Sequence, residues 1–111
     1  MTVARIDEED VVVAETGDRT MVGFASWARG PDGSAEITNC FVEPTMIGTG
    51  IGGLVMAALL DRARAVGIQV AMIDSDPWAE GFYLRLGFVR VGEAASGSIP
   101  GRLLPRLRLD L

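Results

Sequence analysis

The spacing of apolar residues changes period once along this 111-residue chain. Before Val42 the period is two: Val22, Phe24 and Ser26 alternate against Met21, Gly23, Ala25 and Trp27, the signature of a pleated strand. Val11 to Glu15, Met21 to Arg29 and Ala35 to Val42 read as three antiparallel strands, joined by turn chemistry at Thr16-Gly17-Asp18-Arg19 and Gly30-Pro31-Asp32-Gly33. Met1 to Asp10 has no apolar period and ends in the acidic run Asp7-Glu8-Glu9-Asp10, so an entry loop is expected there. From Gly50 the period becomes 3.6. Ile51, Leu54, Val55, Ala58, Leu59, Ala63 and Val66 form a stripe on a helix of about four turns, which Gly67 ends. Ile68 to Ile73 is almost wholly apolar, the pattern of a strand covered on both faces, and strand, helix, strand at this spacing implies a right-handed crossover to a parallel partner. Asp76-Pro77 opens a second helix to Leu86, with Gly87 as its stop; Trp78, Phe82 and Leu86 share one face, turning Ala79 and Tyr83 onto the next. Phe88 to Gly92 is a strand, Ala94 to Pro100 a loop, and Leu103 to Leu111 a last strand.

Composition narrows what such an α/β domain does. Apolar residues make up 49% and charged ones are spread throughout, so one core in one domain is expected. The net charge is −5, and every basic residue is an arginine. That balance argues against nucleic acid and leaves room for a cationic small molecule such as an amine, although solubility explains the same charge. A single cysteine, Cys40, and no histidine exclude an internal disulfide and a metal cluster and fit a reducing cytoplasm. No apolar run approaches the roughly 18 residues of a membrane span. The expected protein is soluble and cytoplasmic.

The chemistry concentrates where the period changes. Gly48, Gly50, Gly52 and Gly53 lead from an apolar strand into a helix start, whose unpaired amides and partial positive charge suit a phosphate once side-chain bulk is removed. The same glycines, with Asp74 at the end of the next strand, also satisfy a dinucleotide-binding fingerprint. Pro44 and its neighbours separate strand from glycines too widely for that motif, and the chain after Asp74 is too short for a nicotinamide half. A triphosphate P-loop lacks its Gly-Lys-Ser/Thr.

Three strands, then Val42-x-Pro44-x-x-x-Gly48-x-Gly50-x-Gly52 opening a helix, a buried strand, and Phe82-Tyr83-Leu84-Arg85-Leu86-Gly87-Phe88 together resemble the GCN5-related N-acetyltransferase (GNAT) family. The resemblance runs from Val11 to Leu111. It implies an α/β mixed sheet with antiparallel N-terminal strands, a central parallel pair splayed around the cofactor, and two main helices. It also implies acetyl-coenzyme A as cosubstrate, its pyrophosphate on Ile47, Gly48, Thr49, Gly50, Ile51, Gly52 and Gly53 and its pantetheine on the backbone of Phe41 and Val42. This chain departs from the family in three ways. Ile47 replaces a usual Arg or Gln. Trp78 and Gly81 occupy the second helix where an Asn and a stiffer residue are common. The family's first strand and the two helices after it have no expected counterpart, so residues 1–111 read as one shortened domain, and the sheet edge and apolar surface left bare predict a homodimer.

An alkylammonium with pKa near ~10.4 must shed a proton before attacking a thioester, a cost at neutral pH of roughly 4.6 kcal/mol. Glu36 matches the family's general base, on a strand face expected to include Thr38, Cys40 and Val42; a water chain is the other route. Tyr83 matches the general acid that meets the departing thiolate. Cys40 reads as a small buried residue, Asn39 is left unassigned, and Asp74, Arg102, Arg106 and Arg108 read as strand-end and strand-face charges. The expected activity is acetyl transfer to an amine by direct attack, with no metal. A non-catalytic acyl-coenzyme A binding module, or a subunit completed by a partner, is the alternative.

Overall fold

The computed structural model describes residues 2–6, 11–18, 20–97 and 99–111. Its strands are β1 (Thr2–Ile6), β2 (Val11–Glu15), β3 (Met21–Arg29), β4 (Ala35–Val42), β5 (Val70–Asp74), β6 (Val89–Ala95) and β7 (Leu103–Asp110), in one sheet of order β1-β2-β3-β4-β5-β7-β6. Helix α1 (Ile51–Ala65) links β4 to β5, and α2 (Glu80–Arg85) follows β5. All neighbours are antiparallel except β4 and β5.

Residues 2–6, expected within an entry loop, instead form an edge strand in register from Thr2↔Glu15 to Ile6↔Val11. No alternation marks this segment in the sequence, and pairing to β2 supplies the order that periodicity did not. A strand therefore stands ahead of β2, and residues 7–10 alone separate the two. The acidic run Asp7 to Asp10 lies outside the described residues.

Helix α1 buries Ile51, Val55, Met56, Leu59, Leu60 and Ala63 in one core with Val12, Ala14, Ala25 and Trp27, each large side chain contributing about 1.5–3 kcal/mol. The stripe is rotated from the expected one: Leu54 and Val66 are exposed, while Met56 and Leu60 point inward. Leu54 is as apolar as Leu60, so polarity alone does not orient this helix. What fixes it is close contact at Gly23, where a β-carbon would stand 3.0 Å from Ile51 Cγ2 and from the Phe41 carbonyl oxygen.

That contact also sorts the sheet into two faces, because antiparallel partners point the same way. Gly23, Ala25 and Trp27, with their partners Val42, Cys40 and Ile37, face the helices. Phe24, Ser26 and Ala28, with Phe41, Asn39 and Glu36, face away. A bulge where Ser26↔Asn39 gives way to Trp27↔Ile37 leaves Thr38 as the extra residue and reverses the alternation across it. Both helices of the described residues stack on the first face. β5 is consequently buried at Ala71 and Ile73 but only half-buried at Val70 and Met72, which corrects the expectation of cover on both sides.

The parallel pair is held at Ala35↔Ala71 and Glu36↔Met72 only. Beyond those residues β4 stays with β3 and β5 with β7, so the sheet opens into a wedge. No helix among the described residues is long and apolar enough to cross a membrane.

Candidate active site

The wedge leads to a trough with two contiguous halves. After β4, the Glu43 N–H donates to the Val22 carbonyl at 2.8 Å, Pro44–Met46 makes a single 3₁₀ turn, and the Thr49 hydroxyl donates to the Met46 carbonyl at 2.5 Å. Gly48 and Gly50 then take φ of 87° and 89°, which a side chain would strain by about 1–2 kcal/mol. Gly50 is the N-cap of α1, with no side-chain cap and no acid in the first turn, so the amides that open the helix face the trough. This half encloses about 570 Å³ between Ile47, Gly48, Gly50, Gly52, Phe82 and Arg85.

Val42, Ile47, Gly52 and Phe82 continue into the second half, about 530 Å³, which reaches Cys40, Trp78 and Tyr83. Depressions elsewhere, near Asp32 and near Val89, measure about 280 and 370 Å³. The two halves meet at Gly52, where a β-carbon would approach the Phe82 ring to 3.2 Å and Val42 to 3.4 Å.

Tyr83 is 5% exposed, edge-on to Phe82 (5.0 Å between centroids) and to Phe88 (5.7 Å). Burial first, and then the adjoining Cys40 thiol, push its pKa well above the usual phenol value, so the hydroxyl stays protonated and offers a hydrogen. Burial likewise raises the Cys40 thiol, with its hydrogen bond to Tyr83 opposing. A thiol held neutral this way is a poor nucleophile.

The helix carrying Tyr83 is shorter than expected. Asp76 accepts from the Trp78 N–H at 2.8 Å and holds a turn, and α2 begins only at Glu80. Trp78 therefore shares no helix face with Phe82 and Leu86; it stands 95% exposed at the rim of the trough.

Glu36 lies on the opposite face of the sheet from Cys40 and Val42. The expected common face is undone by the bulge at Thr38, which no spacing rule in the sequence reveals. Its carboxylate receives Arg106 through Nη2 at 2.6 Å and Nη1 at 3.4 Å, and the same Nη1 donates to Asp74 at 2.7 Å. One guanidinium from β7 thus ties β4 to β5 at the apex of the wedge, and its hydrogen bonding to Glu36 and then to Asp74 raises its own pKa further. Arg106 is consequently more than the solvated strand charge expected of it. Beside this cluster, Ser26 Oγ sits 2.8 Å from Thr38 Oγ1 and accepts from Asn39 Nδ2 at 3.0 Å.

The remaining expected residues divide between backbone and side chain. Ile51 is 1% exposed, its side chain in the core, and it lines neither half of the trough. Phe41 turns its ring away, tilted against Phe24 at 5.7 Å, and is not among the residues lining the trough. Ile47 is 70% exposed at the trough wall. Sequence reasoning missed Met46, Phe82 and Arg85 as lining residues. Phe82 and Arg85 flank Tyr83 within its motif, and that proximity was the available signal. Among the described residues no three His, Cys, Asp or Glu side chains group as a metal site.

A family model described as "Acetyltransferase (GNAT) domain" matches residues 2–97. The ycf52 protein of Gracilaria tenuistipitata var. liui, described as an uncharacterized N-acetyltransferase, is 27% identical over 77 residues, which cover 69% of this chain and 42% of that protein. The chain thus spans less than half the length of that relative. Among solved structures, a GCN5-related N-acetyltransferase of Rhodopseudomonas palustris (aminotransferase, class II) superposes with a TM-score of 0.75 at 28% identity, covering 91% of this chain and 61% of its own. A Bacillus anthracis str. Ames protein in complex with acetyl coenzyme A superposes at 0.81 and 17% identity, over 91% of this chain and 61% of its own; at that identity the likeness is one of fold.

Proposed function

Because the chain belongs to the GNAT acetyltransferase domain family, we propose that it transfers acetyl from acetyl-coenzyme A to an amine by direct attack. The observation that carries this reading is the single trough running from the opening amides of α1 to the Tyr83 hydroxyl. In it the pyrophosphate lies on residues 47–53 and the pantetheine on the backbone of Phe41 and Val42, with the thioester beside Tyr83. The deprotonated amine nitrogen bonds to the thioester carbon, the tetrahedral adduct collapses with loss of its carbon–sulfur bond, the Tyr83 O–H gives its proton to the departing thiolate, and the proton shed by the new amide nitrogen passes through solvent to restore the tyrosine.

Glu36 receives the ammonium proton from the other face of the sheet. The wedge between β4 and β5 opens through the sheet, so a base at its apex and an acid on the helix face approach the same thioester from two sides. Arg106 occupies both Glu36 oxygens, and proton transfer therefore needs that ion pair to loosen as the amine arrives. Mixing the protein with acetyl-coenzyme A and a panel of amines tests the reading: saturable thiol release on at least one amine supports it, while binding without release on any amine favours a non-catalytic acyl-coenzyme A module.

The face carrying Val11, Val13, Phe24 and Phe41 has no helix over it among the described residues, which supports a homodimer closed across that face. Sedimentation of a monomer at micromolar concentration would count against it. The lone thiol fits a cytoplasmic location.

A further inference from the structure

We propose that Arg85 supplies the positive charge for the phosphates of coenzyme A in this chain, replacing the polar side chain absent at Ile47. The inference rests on the acetyl-coenzyme A reading above and identifies the side chain on which its phosphate end depends.

Three observations converge on Arg85. The trough half that holds the first amides of α1 is lined by this cation and by no carboxylate. Arg64, Arg90, Arg102, Arg106 and Arg108 each lie within 4.0 Å of an acid; Arg85, like Arg29 and Arg62, has no such partner among the described residues, and of those three it alone lines this half of the trough. Its guanidinium also folds back over Gly81, with Nη1 at 3.4 Å from the place a β-carbon would occupy.

The electrostatics give the arrangement its purpose. A chain of net charge −5 without lysine repels a polyanion at long range, and the partial charge of one helix start is a short-range remedy. An arginine across the groove from that helix start adds a full charge and donors suited to two phosphate oxygens. Ile47, 70% exposed, contributes neither.

The test is equilibrium binding of coenzyme A and of pantetheine, which lacks every phosphate, to the full chain, to Arg85→Gln, and to Arg85→Gln combined with Ile47→Arg. Arg85→Gln is expected to weaken coenzyme A by roughly tenfold, the scale of a solvent-accessible charge-assisted contact, and to leave pantetheine unchanged. Restoring a cation with Ile47→Arg is expected to recover most of the loss. An Arg85→Gln protein that binds coenzyme A as before, or that loses both ligands equally, overturns the assignment. Failure of the unaltered protein to bind coenzyme A contradicts the acetyl-coenzyme A reading itself, and is seen before any variant is compared.

Discussion

The two halves of the trough are built from different materials. At the glycine end the groups proposed to hold the cosubstrate are backbone amides, placed by φ values near 90° at Gly48 and Gly50 and by a helix start with no cap. At the Tyr83 end they are side chains, placed by the bulge in β4, by the late start of α2 and by the packing of Tyr83 against Phe82 and Phe88. A backbone site tolerates changes of side chain but not added bulk. A side-chain site tolerates bulk nearby but not the loss of one hydroxyl. The comparison therefore predicts opposite sensitivities along one groove.

The largest effect is expected where the halves join. Gly52→Val places methyl groups where a β-carbon is already 3.2 Å from the Phe82 ring, and it should reduce acetyl-coenzyme A affinity by at least roughly a hundredfold. Calorimetric titration of the folded variant checks this, and near-normal affinity would mean the ligand does not run through Gly52. At the other end, Tyr83→Phe should lower the maximal rate of acetyl transfer by about a hundredfold, in the range for a lost general acid, while acetyl-coenzyme A affinity stays within twofold. A rate unaffected by that change would remove the tyrosine from the chemistry.

Glu36→Gln separates base from tether. The substitution leaves an oxygen that still accepts from Arg106 but takes no proton, so turnover should fall by about tenfold or more at pH 7 and recover as pH rises toward that of the free amine. A loss of melting temperature without that pH recovery would make the residue purely a tether of the wedge. The smallest effect concerns stability. The folded-state pKa of Tyr83 lies above the unfolded phenol value near ~10, so its contribution is fully present below that pH and declines as pH rises above it. Unfolding followed between pH 8 and 11 should show the protein losing stability at the alkaline end more steeply than Tyr83→Phe.

The same contrast decides what the sequence made legible. Glycines at alternate positions before an apolar helix announce a backbone site directly, because only residues without side chains serve it. The ranges of β2, β3 and β4 were equally plain, since their alternation is local. Glu36 was harder: its face depends on one extra residue at Thr38, and its partner Arg106 sits across a pairing of β5 with β7 that local periodicity does not contain. Strand β1 was hidden because an edge strand draws its order from a neighbour. Helix α1 was legible in extent but not in rotation, its surface being apolar nearly all round.

Amide chemical-shift mapping of the whole chain with two fragments of the cosubstrate tests the divided trough most directly. Adenosine 3′,5′-bisphosphate should move amides of residues 48–53 and leave Cys40 and Tyr83 in place, acetyl-pantetheine should move residues 40–42 and 83 but not Gly48 or Gly50, and acetyl-coenzyme A should move both sets. Identical shifts from the two fragments, or shifts centred on the depression at Asp32 and Arg108, would contradict it.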